Sequence, residues 1–313
     1  MSKYAFGVDV GGTTVKLGLF DETGKLLDKW EIPTVTANGG EQILPDVAAS
    51  IQQKMQEKKL EKTDVLGVGV GSPGPIDGEG TVYRAVNLGW GVFNIPAKLN
   101  QYLDLPVKAG NDANVAAFGE MWQGGGKGYS NLVAVTLGTG VGGGIIVDGE
   151  ILNGSGGAAG EIGHIHIEDA EEEACGCGNK GCMEQYGSAT GIARLARRRL
   201  AKDDAASVLR REENITAKAV FDAVKAGDTV AVEIAREFGD YLGKGLAAVA
   251  GVVNPEAFVI GGGVSKAGEV LFDYICPAYQ KYAFHACRTA KFVLAQLGND
   301  AGIYGAAALV LNV

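Results

Sequence analysis

The 313-residue chain has no apolar run approaching the roughly 20 residues that span a bilayer. No secretory leader precedes the strand-like YAFGVDV that starts at Tyr4, so a soluble, intracellular protein of the cytoplasm is expected. Basic charge is also short. Against 37 Asp and Glu stand 28 Lys and Arg, for a net charge of -9, whereas neutralising nucleic-acid phosphates needs clustered cations. The one dense basic run, Arg194 to Lys202, alternates with Leu and Ala at helical spacing and reads as the wet face of a helix. Neither a membrane nor a nucleic acid is therefore expected as a partner. Histidine and cysteine are scarce, at three and five residues, yet two of the histidines and three of the cysteines crowd into Glu161 to Glu184. Glycine is the exception to this scarcity: 49 residues exceed the usual share of about 7% and gather in loops after strands, which calls for a geometric reason.

In the crowded stretch, Cys175, Cys177 and Cys182 follow His164 and His166. Three thiolates and an imidazole suffice for a closed tetrahedral zinc site, and Gly176, Gly178 and Gly181 let a short loop bring the sulfurs together. A disulfide plus a free thiol is the alternative, disfavoured in a reducing compartment. Either histidine can complete the set, because GHIHI reads as a short strand with both rings on one face. The acidic run Glu168 to Glu173 reads as a solvated loop, and Glu161 and Glu184 bracket the knuckle with carboxylates.

The chain opens with strand, glycine turn and strand: YAFGVDV, GGTT, VKLGLFD. Gly11 and Gly12 remove the Cβ atoms that would keep a polyphosphate from backbone N–H groups, while Thr13, Thr14 and Lys16 offer hydroxyls and a cation. Asp9, at the strand's end, is suited to hold a hydrated magnesium ion. An ordinary glycine hairpin is the plainer reading of this turn alone. The pattern returns 127 residues later in LVAVTLGTGVGGGIIVDG, which sets Gly138 on Gly11 and Asp148 on Asp21. A repeated supersecondary unit implies two related halves whose turns, including Gly138, Thr139 and Gly140, are expected to grip a nucleotide's phosphates across a cleft. The same residues fit a dinucleotide fingerprint, but that fingerprint should open a helix and here a strand continues.

Between the repeats lie a helix over 42–59, a buried strand over 65–70, the loop GSPGPIDGEG and an irregular stretch with Asn87 and Trp90 leading into a helix. LPVKAGNDANVAAFGEMW then reads as a strand ending at Asn111 and Asp112 where a helix begins. Asp112 occupies the N-cap position, so capping competes with a functional role; carboxylates at strand C-termini are where α/β sheets place ligands. Beyond the knuckle, residues 191–251 read as mainly helical. The strand AFVIGGGV follows, and its glycines suit either an adenosine lying against the backbone or a close strand-to-helix connection. Cys276 and Cys287 read as core or surface residues, and NDAGIYGAAALVLN as a closing helix.

DVGGTTVKLGLFD, GSPGP, GNDAN, TLGTGVGGGI, GEIGH with CGCGNKGCME, and VIGGGV occur in the order found in the ROK family of bacterial sugar kinases and sugar-responsive repressors, which the chain resembles over nearly its whole length. The resemblance implies an α/β fold of the two-domain actin-like and hexokinase-like ATPases, of ribonuclease-H type, with a zinc knuckle and commonly a homodimer, a tetramer being the alternative. It implies a smaller domain over about 1–120 plus a closing helix at about 300–313, and a larger one over 121–299. Repressors of the family carry a helix-turn-helix before the first phosphate motif; eight residues precede Asp9 here, so the kinase branch is expected.

By that resemblance the reaction is ATP-dependent phosphorylation of a hexose, glucose foremost, with N-acetylhexosamines or fructose as alternatives and a non-catalytic sugar sensor as a reading of another class. Asp112 matches the family's catalytic base. Gly74, Asn87, Asn111, Asp112, Glu161, His164 and Glu184 match its sugar-binding positions, and carboxylate and amide groups suit sugar hydroxyls. Asp9, Gly11, Gly12, Thr13, Thr14, Lys16, Gly138, Thr139, Gly140, Gly262 and Gly263 match its ATP and Mg2+ positions. His164, Cys175, Cys177 and Cys182 match its structural Zn2+ ligands. Ten residues separate His164 from Cys175, one more than the family pattern, which leaves His166 as a substitute ligand.

Overall fold

The computed structural model describes residues 3–311. Its first elements are β1 (Tyr4–Val10), β2 (Thr14–Asp21) and β3 (Leu26–Pro33), followed by α1 (Ile43–Lys58), β4 (Val65–Ser72), α2 (Ile95–Leu103) and β5 (Val107–Asn111). They form one sheet ordered β3-β2-β1-β4-β5, antiparallel on the hairpin side and parallel from β1 outward. Burial follows position in the sheet. β1 and β4 are buried almost throughout, whereas edge strand β3 alternates exposed and half-buried residues, the period-2 signature of a strand with one wet face. Phe6, Val8, Leu17, Val68 and Val70 share one core with Leu44, Val47 and Ile51 of α1 and Leu99 of α2.

α3 (Asp112–Gln123) leads to β6 (Leu132–Leu137), β7 (Val141–Val147) and β8 (Glu150–Ile151). Then come α4 (Ala189–Leu200), α5 (Ala217–Lys225), α6 (Thr229–Val253), β9 (Ala257–Gly261), α7 (Phe272–Tyr282), β10 (Lys291–Leu294) and α8 (Ala301–Leu311). The second sheet is ordered β8-β7-β6-β9-β10. Its strand succession repeats that of the first, so the sequence repeat at Gly11 and Gly138 marks the same hairpin in each sheet. β7 is a strand, so Gly138, Gly140 and Gly143 do not open the helix that a dinucleotide fingerprint requires.

The chain divides into two compact units, Met1–Gly128 with Gly144–Gly160 and Leu297–Val313, and Tyr129–Gly143 with Glu161–Gln296. In the first, α8 rests directly on β1 and β4: a Cβ on Gly7 would lie 2.0 Å from the Ile303 carbonyl oxygen, and one on Gly69 1.7 Å from that of Ala306. Only glycine permits that approach, which seats Gly302 of α8 against Asp9. In the second unit, Phe238 and Leu242 of α6 and Ile275 and Tyr279 of α7 are fully buried. Among the described residues, no helix is long and apolar enough to cross a membrane.

Candidate active site and metal centre

In the first unit, the β1–β2 hairpin places Asp9 directly opposite Lys16. Burial pushes the Asp9 carboxyl up to about 6; Lys16 opposes the shift and the charge of Asp112 adds to it. A Cβ at position 302 would lie 2.6 Å from the Asp9 carboxyl carbon, so Gly302 is the room in which that carboxylate sits. Lys16 Nζ donates to the Asn299 carbonyl at 3.1 Å. The turn between the strands closes with Gly11 N–H donating to the Thr14 carbonyl at 3.1 Å. Thr34, just past β3, holds it twice: its hydroxyl donates to the Gly11 carbonyl at 2.7 Å and its N–H to that of Thr13 at 2.9 Å. Gly12 is open on its Cβ side except for the Asn87 Cβ, at 3.9 Å, which brings Asn87 beside the turn.

The start of α3 differs from the sequence expectation by one residue. Asn111, not Asp112, is the N-cap: its Oδ1 accepts from the N–H of Ala113 at 3.0 Å and of Asn114 at 3.2 Å. Its amide also donates to the Gly74 carbonyl at 3.0 Å. Gly74 has φ +94°, and a Cβ there would lie 2.2 Å from the Arg84 carbonyl oxygen, so the fold itself demands glycine. Asp112 becomes the first helical residue. One of its oxygens accepts from Ala113 N–H at 2.8 Å, and burial raises its carboxyl above the ordinary range despite that bond. With the cap supplied by Asn111, the Asp112 carboxylate is not needed for capping.

In the second unit, His164, Cys175, Cys177 and Cys182 converge, with all four ligand atoms within 4.8 Å of one another. Cys177 and Cys182 sulfurs are 3.7 Å apart, and Cys175 Sγ is 3.8 Å from His164 Nδ1. The edge of a tetrahedron with zinc–sulfur bonds of about 2.3 Å is about 3.8 Å, so the donor set and spacing fit zinc. All five cysteines are free thiols, which removes the disulfide alternative. Burial, and then its neighbouring thiols, push the Cys182 thiol up to about 12; a bound cation is what would deprotonate it.

GHIHI is not a strand here. Ile162–His164 form a 3-10 turn, and only His166 makes a bridge, to Cys182. The two rings therefore diverge. His166 spends both nitrogens elsewhere, Nδ1 at 2.8 Å from the Lys180 carbonyl and Nε2 at 2.7 Å from Asp169. His164 turns Nδ1 to the sulfurs and keeps Nε2 4.0 Å from Glu161.

Glu184 links the knuckle to the second glycine turn. Its Oε1 lies 3.6 Å from Cys175 Sγ, and its Oε2 accepts from Val141 N–H at 3.0 Å. A Cβ on Gly140 would fall 2.2 Å from that carboxylate, whereas Gly138 faces open space. The two glycines therefore have different reasons: Gly140 admits the carboxylate and Gly138 leaves an open face. Thr139 is exposed between them. Gly262, at φ +84°, would bring a Cβ to 2.5 Å from the Leu137 carbonyl oxygen at the end of β6, so glycine is needed where β9 turns past its neighbouring strand into the 3-10 turn Val264–Ala267. Gly263 has no atom within 4 Å of a Cβ position and keeps an open face.

The acidic run is not simply solvated. Glu171 is buried, and its carboxylate receives Tyr186 Oη at 2.6 Å, Arg194 at 2.8 Å and Arg198 at 3.0 Å. Burial opposes its ionisation, but the Arg198 and Tyr186 hydrogen bonds prevail and hold it down at about 2. Arg194 also donates to the Gln185 carbonyl at 2.8 Å, so the basic run on α4 ties down the segment that carries Glu184. Nothing local marks this network, since Tyr186, Arg194 and Arg198 lie 15, 23 and 27 residues from Glu171.

A model of the ROK family matches residues 5–313. The glucokinase of Halalkalibacterium halodurans is 43% identical over 313 residues, covering 98% of this chain and 95% of that one. A crystal structure of a ROK family glucokinase from Streptomyces griseus in complex with glucose and AMPPNP superposes with a TM-score of 0.73 at 36% identity, covering 98% of both chains. That of a ROK hexokinase from Thermus thermophilus superposes with a TM-score of 0.78 at 30% identity, covering 97% of this chain and 96% of that one.

Proposed function

We propose that the chain, which belongs to the ROK family, transfers the γ-phosphoryl group of ATP to glucose, giving glucose 6-phosphate. The observation that carries this reading is the half-buried Asp112 carboxylate, one position past the N-cap that Asn111 supplies, in a chain 43% identical to a glucokinase. A sugar hydroxyl is a poor nucleophile at neutral pH and needs a positioned base. Asp112 accepts the proton of the attacking hydroxyl, and burial makes it a better acceptor than an ordinary aspartate. Gly74, Asn87, Asn111, Glu161, His164 and Glu184 are the groups that match the family's positions for the sugar's hydroxyls. The turns at Gly11–Thr14 and Gly138–Gly140 present N–H groups and hydroxyls to the phosphates, Lys16 adds a cation, and the open face of Gly263, next to Gly262, lies against the adenosine. Magnesium, held through Asp9, would neutralise charge on the transferring phosphate. Zinc on His164, Cys175, Cys177 and Cys182 would fix the His164 ring so that Nε2 faces a sugar hydroxyl. A homodimer in the cytoplasm completes the reading.

The test is ADP release measured with glucose, mannose, fructose, N-acetylglucosamine and N-acetylmannosamine. Glucose should give the highest kcat/KM. Preference for an N-acetylated sugar would reassign the substrate, and ADP release with none of them would make the protein a sensor.

A further inference from the structure

The second glycine turn is held in part by residues 188–190, which have no role in the site described above. Its carbonyls at Gly138 and Thr139 point to residues 189 and 190: Ala189 N–H donates to the Gly138 carbonyl at 2.8 Å, and the Thr190 hydroxyl to the Thr139 carbonyl at 2.8 Å. The Ser188 and Thr190 hydroxyls are 2.9 Å apart. A carbonyl oxygen can only accept, so the Thr190 proton is committed to Thr139 and Ser188 must donate to Thr190. Ser188 is itself fixed, being fully buried and accepting the N–H of Gly191 at 2.9 Å as the N-cap of α4. The turn adds one internal bond, Gly138 N–H to the Gly140 carbonyl at 3.0 Å. With Glu184 on Val141 N–H, residues 184–190 hold the turn at three successive points.

We propose that Thr190 is a positioning residue for the nucleotide. It touches no phosphate; it fixes the peptide between Thr139 and Gly140, and with it the direction of the Gly140 N–H on the turn. Without the hydroxyl, that peptide can rotate, because Gly140 imposes little backbone restriction and Thr139 is exposed. Ordering it again at each binding event weakens nucleotide affinity and leaves sugar affinity alone. This rests on the reading of the turn as a phosphate site.

The experiment compares Thr190→Val, which keeps shape and loses the hydroxyl, with Thr190→Ser, which restores it. A single hydrogen bond of this kind corresponds to about 3- to 10-fold in affinity, so KM for ATP and Kd for AMPPNP should rise by that factor in Thr190→Val and recover in Thr190→Ser. KM for glucose should stay within about twofold, while the melting temperature of Thr190→Val should fall by a few degrees, because the buried Ser188 hydroxyl loses its acceptor, and recover in Thr190→Ser. Unchanged AMPPNP binding in Thr190→Val, or equal losses for sugar and nucleotide, would overturn the assignment. So would failure of serine to rescue. AMPPNP titration needs no turnover, so the proposal survives or fails even if glucose proves not to be the substrate; a parent protein that binds no AMPPNP would remove both readings.

Discussion

The two glycine turns occupy the same place in two sheets of the same strand order, yet they are held differently. At Gly11–Thr13 both braces come from Thr34, at the end of the next strand, so the turn, its hairpin and its support are one local unit. At Gly138–Gly140 the braces come from Ala189, Thr190 and Glu184, which follow the cysteine knuckle and are tied down by Arg194 and Glu171. Each turn uses one threonine hydroxyl and backbone N–H donors to fix its carbonyls. What differs is the loop that must close first: about 20 residues in one case and about 50 in the other, the longer one containing the cysteine cluster.

The largest expected effect lies in the first unit and leaves both turns intact. Asp112→Asn removes the carboxylate proposed as the base but not the cap, which Asn111 supplies. Turnover should fall by on the order of 10²-fold or more with AMPPNP affinity nearly unchanged. Because burial raises the Asp112 carboxyl, its ionised form costs stability at neutral pH, so the variant should be at least as stable as the parent to urea at pH 7.5. Turnover within a few-fold of the parent would reject the catalytic role.

Next in size is the knuckle. Cys177→Ser should lower zinc from about one per chain to near zero and weaken glucose binding by on the order of 10-fold. It should also raise KM for ATP, since the second turn depends on the segment after Cys182. Metal analysis with both KM values checks this; a fully active protein without zinc would break the link between knuckle and turn.

A pH effect at Asp9, beside the first turn, should be visible as the difference between activity profiles at limiting and at saturating Mg2+, since the raised Asp112 carboxyl acts on both. Asp9 has its folded pKa raised to about 6 from an ordinary 3.8. Its neutral form is the one the fold prefers, so its contribution to stability is complete below about pH 4 and lost as pH rises through about 6. Magnesium needs the ionised form. Activity at limiting Mg2+ should therefore drop as pH falls through about 6, while the protein without nucleotide gains stability over the same interval. Profiles of the same shape at limiting and at saturating Mg2+ between pH 5 and 7.5 would exclude Asp9 from metal binding.

The smallest effect is expected for Thr34→Val. The β2–β3 ladder continues to hold the first turn, so KM for ATP should rise by only about twofold, less than for Thr190→Val. A larger rise would show that local support is no stronger than distant support.

Much of the fold was legible because its signals are short-range. Alternation and paired glycines marked both hairpins, and GNDAN marked a strand meeting a helix. The cap was misplaced by one residue because Asn and Asp are equally good caps, and only the bonds from Ala113 and Asn114 N–H distinguish them. Glu171 looked solvated because its arginines are distant in sequence.

The sequence by itself determined which residues could bend sharply, which could cross a sheet, and that three thiols and two imidazoles stood close enough to hold one ion. Strand period and glycine content act within a few residues, so no tertiary information was needed. Tertiary structure alone decided that His164 rather than His166 faces the sulfurs, that Gly140 makes room for Glu184, and that burial pushes the Asp9 carboxyl above its ordinary value. Each of those depends on what packs against the group from elsewhere in the chain, because desolvation and ligand choice are set by neighbours in space.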